Sequence, residues 1–204
     1  MKNGFIYYTL FLLVFCLACT KPHLIKPTMY LSQDIKDYTD FKAGSYWIYQ
    51  DTINPGHVDS IVLISHNQVV QPAMDGSDGQ GPYEKFTDTL WSSIDGKFMA
   101  NGSGMLNDYH VQYPQWPNDE TTYLTPISGA IYDEWGNTRL VAAIDSLKLD
   151  GKLYRRVKEF RVDPQIGYKV VSPITDIFWA QNLGVVQKTV SGNTWQLIRY
   201  HVAQ

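Results

Sequence analysis

Apolar and polar residues alternate with a period of two along most of the chain after residue 45. The stretch 45–51 (SYWIYQD) alternates and is aromatic, which predicts a strand. Residues 54–56 (NPG) read as a turn, and 58–66 (VDSIVLISH) completes a hairpin. A Gly-, Asp- and Pro-rich stretch, 71–82, reads as a long loop before the next strand, YEKFTDTLW. Asp95-Gly96 and Asn101-Gly102 are hairpin-type dipeptides, predicted to bracket a short strand over 97–100. Residues 109–113 read as a strand and 113–120 (YPQWPNDE) as an aromatic loop. The clearest hairpin spans 139–162 around Asp150-Gly151, a type I′ signature. A two-residue loop there sets Leu149 opposite Lys152, Leu147 opposite Tyr154, and Asp145 opposite Arg156 as a cross-strand ion pair. The chain closes on GVVQKTV and TWQLIRYHV, joined at Ser191-Gly192-Asn193. A single helical turn is expected over 32–38 with Ser32 as N-cap. About ten strands joined by turns imply an all-β domain, an antiparallel sheet curled into a half-open barrel or a two-layer sandwich.

The first 18 residues break this pattern. Lys2 precedes an apolar run from Phe5 to Ala18, too short for the about 20 residues of a spanning helix. It reads as a signal peptide. Leu17-Ala18-Cys19 resembles the lipobox of bacterial lipoproteins, which implies cleavage before Cys19 and diacylation of that cysteine. Cys16 occupies a lipobox position more often held by a leucine-like residue, and its apolar character suits the place. A redox reading of the C-x-x-C fails because no thioredoxin-like βαβ context surrounds it. A metal reading fails because His23 alone cannot complete a site. The expected organisation is residues 1–18 as signal peptide, 19–40 as lipid anchor and tether, and 41–204 as one β-domain. Two acyl chains suffice for stable anchoring.

The chain has 204 residues, 17 basic against 20 acidic, for a net charge of −3. Without a basic stripe, nucleic acid is not an expected partner. The 14 Tyr and 6 Trp raise the question of aromatic ligand surfaces. Tyr109, Tyr113, Trp116, Tyr123, Tyr132 and Trp135 cluster in one stretch, either as a stacking or apolar ligand surface or as core.

Catalytic patterns are weak. NGSGM, 101–105, lacks the first glycine and the strand-to-helix elbow of a serine hydrolase. The histidines, His23, His57, His66, His110 and His201, form no close pair. His57 and Asp59 share a strand face but fall short of a zinc ligand set. Asp75, Ser77 and Gly79 do not make a calcium loop. In the doublets Asp119-Glu120 and Asp133-Glu134, neighbouring side chains point to opposite faces of a strand. No catalysis, metal or cofactor is therefore expected.

Three stretches, FKAGSYWIYQD with VDSIVLI, LKLDGKLYRRVKEF, and IFWAQNLGVVQKTVSGNTWQLIRY, together resemble small lipoproteins of Bacteroidota. Asn182 stands where that family more often has glycine, and asparagine tolerates a left-handed backbone. The resemblance implies an outer-membrane lipoprotein with a β-rich domain and carries over no catalytic residue. The residues after Cys19 (Thr, Lys, Pro, His) lack the acidic run that routes such lipoproteins to the cell surface, which implies a periplasm-facing domain. Two roles follow as expectations. One is an apolar-ligand carrier, with an interior pocket above ~300 Å³. The other is a glycan- or protein-interaction module using exposed Trp116 and Trp135.

Overall fold

The computed structural model describes residues 26–72, 81–112, 138–163 and 174–203, together with the backbone of short strands at 121–123, 134–135, 165–166 and 169–170. Helix α1 (Gln33–Thr39) precedes the sheet. The strands are β1 (Tyr46–Asp51), β2 (Val58–Gln71), β3 (Tyr83–Ser92), β4 (Gly96–Ser103), β5 (Asp108–Gln112), β6 (Thr121–Tyr123), β7 (Glu134–Trp135), β8 (Thr138–Leu149), β9 (Lys152–Val162), β10 (Gln165–Ile166), β11 (Lys169–Val170), β12 (Ile174–Ala180), β13 (Gly184–Val190) and β14 (Asn193–His201).

Twelve of these strands form one sheet in the order β6-β5-β4-β3-β2-β1-β14-β13-β12-β9-β8-β7, and β10 pairs with β11 apart from it. Each pairing is antiparallel. The sheet curls into a half-barrel. The first and last long strands meet at its centre, so β1–β14 joins a meander from each half of the chain. Ala203 N–H donates to Ser45 Oγ at 3.0 Å and secures that seam.

Turn chemistry fixes the register. Asp150 and Gly151 take φ of 46° and 77°, the two positive values that a type I′ turn needs. Leu149 then faces Lys152 and Leu147 faces Tyr154, as expected. Ser191 (φ 50°) and Gly192 (φ 84°) turn β13 into β14 in the same way. Asn182 is left-handed at φ 60°.

Three expectations are corrected. Asn101 and Gly102 do not turn the chain; both lie inside β4, and the reversal comes after Ser103. Gly102 is there because Phe86, its partner across the ladder, lies over it. A Cβ at 102 would sit 2.3 Å from the Phe86 ring. The ion pair between Asp145 and Arg156 also gives way. Arg156 adopts φ 48° and its guanidinium reaches Gln181 Oε1 at 3.1 Å instead. Finally, packing begins before residue 41. Leu31, Ile35 and Tyr38, within the stretch assigned to anchor and tether, are buried in the core.

Ser32 caps α1 by accepting from Ile35 N–H. The helix then ties the two halves of the half-barrel together. On one side, Lys36 Nζ lies 2.8 Å from Glu84 Oε1, and Ser32 N–H donates to Asn107 Oδ1 at 2.9 Å. On the other, Tyr38 Oη donates to the Arg156 carbonyl at 2.8 Å, and Asn182 N–H donates to the Asp37 carbonyl at 2.6 Å. Among the described residues, no helix is long and apolar enough to cross a membrane. Cys16 and Cys19 lie outside the described residues, as do His23, the 73–80 loop and the acidic doublet at 119–120.

Candidate functional site

Inward-facing residues of the half-barrel do not fill it completely. A cavity of about 100 Å³ remains. Among the described residues, six aromatics line it: Phe41, Trp47, Tyr49, Phe98, Tyr109 and Trp179. The strand period places Trp47 and Tyr49 on one face of β1. Their polar tips are satisfied by backbone, Trp47 Nε1 by the Leu183 carbonyl at 2.6 Å and Tyr49 Oη by the Val185 carbonyl at 2.9 Å. Phe41 meets Trp47 edge-on at 5.3 Å, and Tyr109 meets Trp179 edge-on at 5.5 Å. These contacts hold the rings as fixed walls. Trp179 is buried, yet its Nε1–H finds no acceptor among the described residues.

Two charged side chains also line the cavity, Asp88 and Lys188. Lys188 is paired: its Nζ lies 3.0 Å from Asp59 Oδ2 and 4.9 Å from the centre of the Tyr49 ring. Asp59 in turn accepts from Ser92 Oγ at 2.7 Å.

Asp88 belongs to a different network. Its Oδ1 lies 2.7 Å from His66 Nδ1, and His66 Nε2 lies 3.4 Å from Asp40 Oδ1. A β-bulge makes this possible. Before Ile64, odd-numbered residues of β2 point inward: Asp59, Ile61 and Leu63. The bulge at Ile64 shifts the phase, so that His66 turns in against Asp88, its cross-strand partner. The result is a line of acid, imidazole and acid from the half-buried Asp40 to the cavity wall.

Burial pushes the Asp88 carboxyl up to about 7, against the lowering pull of His66 and Lys42. That value exceeds the ~3.9 of an unfolded aspartate, so the folded state binds more protons across the interval. The stability tied to this group is whole below about pH 4 and is lost as pH rises through about 7. The urea midpoint is expected to fall between about pH 4 and 7, and Asp88→Asn to flatten that fall. An unchanged slope in the variant would show that Asp88 is not the group responsible.

Of the six aromatics read as either ligand surface or core, Tyr109 is buried and lines the cavity. Tyr113, Trp116 and Tyr132 lie outside the described residues. Tyr123 falls in β6 and Trp135 in β7, where the backbone alone is described. His57 and Asp59 do not come together: His57 precedes β2 and is exposed, whereas Asp59 is buried on Lys188. Among the described residues no group of His, Cys, Asp and Glu is arranged to hold a metal ion. The interior is also smaller than the pocket expected of a lipid-sized carrier. Its walls are largely aromatic, and aromatic rings fill most of the available space.

The inward acids escaped the reading of alternation, although the parity carries them. Glu84, Phe86, Asp88, Leu90 and Ser92 share one face of β3, and Gly184, Val186 and Lys188 share one face of β13. A charged residue in phase with apolar ones is the signal that marks them.

Comparison with known protein families, curated proteins and solved structures finds no match to this chain.

Proposed function

We propose that the chain is a lipid-anchored protein of the cell envelope whose β-domain binds a small molecule in the interior of the half-barrel, without catalysis. The observation that carries the binding role is the aromatic-walled cavity, largely apolar, with Asp88 and Lys188 as its charged groups. Rings held edge-on by their neighbours give a preformed space, which lowers the entropic cost of binding. The anchoring role rests on the apolar run ending in Leu17-Ala18-Cys19 and on the resemblance to Bacteroidota lipoproteins. By the same resemblance the anchor lies in the outer membrane and the domain faces the periplasm.

A volume of about 100 Å³ limits the occupant. An apolar cavity of ~150 Å³ takes one benzene, so the ligand here is smaller than a lipid or a glycan unit. Native mass spectrometry of the full chain, purified gently from its own host, is expected to show one small adduct that is lost on denaturation. A bare mass under conditions that keep the fold would contradict the reading.

A further inference from the structure

We propose that the cavity is a site for a small organic cation, an alkylammonium of a few carbons, held by the Asp88 carboxylate and by the faces of the surrounding aromatic rings. The inference rests on the reading of the interior as a binding site and adds the chemical class of the occupant.

The charge balance of the interior favours a cation. Among the described residues, Lys188 is the one positive group on the cavity wall, and its charge is matched by Asp59 at 3.0 Å. Asp95 stands near the same pair and feels both charges. That end of the cavity therefore offers no unmatched positive charge. At the other end, one imidazole lies between two carboxylates, Asp40 and Asp88. Lys42 Nζ lies 3.7 Å from Asp40 Oδ1 and offsets that carboxylate. With His66 neutral, the ionised Asp88 carboxylate is then left without a matching cation among the described residues. Burial disfavours that charge and raises the Asp88 pKa. A bound ammonium group supplies the missing positive charge.

The walls suit the same ligand. Six rings from five parts of the chain converge on a space only a few atoms wide: Phe41, Trp47, Tyr49, Phe98, Tyr109 and Trp179. Aromatic faces attract alkylammonium groups through their negative quadrupole, and the attraction grows when water is excluded. Lys188 over the Tyr49 ring shows that this interior already accommodates one such contact. An anion would meet the Asp88 carboxylate, and among the described residues no unmatched positive charge on the cavity wall offsets it.

The test uses three probes that share a tert-butyl group: tert-butylammonium, tert-butanol and pivalate. Binding to the full chain is measured by calorimetry, with tryptophan fluorescence as a second readout because Trp47 and Trp179 line the site. Tert-butylammonium is expected to bind on the order of tenfold more tightly than either isostere. Its affinity is expected to rise from about pH 6 to 8 as Asp88 gives up its proton. The groups facing Asp88 during that titration are His66 of β2, Asp40 and Lys42 of the segment after α1, and Lys188 of β13. Asp88→Asn is expected to abolish the preference for the cation and its pH dependence, and Phe98→Leu to weaken cation binding several-fold. The wild-type pH series needs no variant to fold. Equal or tighter binding of tert-butanol or pivalate would overturn the cation while leaving the interior as a binding site. Failure of all three probes to bind folded protein would overturn both readings.

Discussion

Replacing Asp59 with alanine is expected to destabilise the fold by about 3–5 kcal/mol, because it leaves a buried lysine without its counter-charge. Lys188 is 8 % exposed and Asp59 is 1 % exposed. The carboxylate is also the acceptor for Ser92 and Ser93, so the substitution leaves hydroxyl groups unpaired as well. The pair itself is not expected to be worth that much. Desolvating two ions costs about as much as their attraction returns, so the double replacement Asp59→Leu/Lys188→Met is expected to recover most of the loss. Urea unfolding of the two variants separates the cases. A single substitution costing under ~1 kcal/mol would mean that Lys188 finds water or another acid, as surface pairs allow.

The second large effect concerns Phe86 and Gly102. Phe86 is fully buried, with its ring tilted against His66 at 5.5 Å and Tyr109 at 5.9 Å. Phe86→Ala is expected to cost about 3–5 kcal/mol through lost burial and the void left behind. Gly102→Val places new atoms where the ring lies, since even a Cβ would come within 2.3 Å of it. The ring is enclosed by neighbours and cannot move away, so overpacking is expected to cost about 1–3 kcal/mol. Combined, the two changes compensate in volume, because the valine enters the space that the ring vacates. The double variant is therefore expected to cost clearly less than the sum of the singles, as neighbours in one packed site do. Additive losses in thermal or urea unfolding would show that ring and glycine do not share a volume.

These two sites also mark how far the sequence could be read. Alternation and turn chemistry recover the strands and most hairpins. Asp150-Gly151 and Ser191-Gly192 are local signals, and the structure places each at a turn with positive φ. Ser32 capping a short helix is equally local. Asn101-Gly102 carries the same local signal and fails, because the glycine serves a contact with Phe86 on the neighbouring strand. Dipeptide statistics cannot distinguish a glycine that turns from one that makes room. Arg156 departs for a related reason. Its left-handed backbone is held by Tyr38 of the helix and by Gln181 of the β12–β13 turn, neither of which is near it in sequence.

The site was less legible than the fold. The aromatic cluster of residues 109–135 attracted attention by density, yet the described cavity draws Tyr109 alone from it. Its other rings come from strands that read simply as alternating, such as Trp47 and Tyr49 in SYWIYQD. The network of Asp40, His66 and Asp88 depends on the bulge at Ile64, and a single extra residue in a strand leaves no mark in composition. Without that bulge His66 would point outward with Ile64, and Asp88 would face the cavity without its imidazole. The charged residues of β3 and β13 stood in plain phase with the core. Strand reading assigns them to solvent by type, whereas their neighbours bury them.

The central claim is that the half-barrel holds a preformed, largely aromatic-walled space. Crystals of the full chain held under xenon pressure test it directly, because xenon enters dry cavities of this kind. One xenon peak is expected among Trp47, Phe98, Tyr109 and Trp179. Rings closed over the space, or ordered water filling it in place of xenon, would contradict the account.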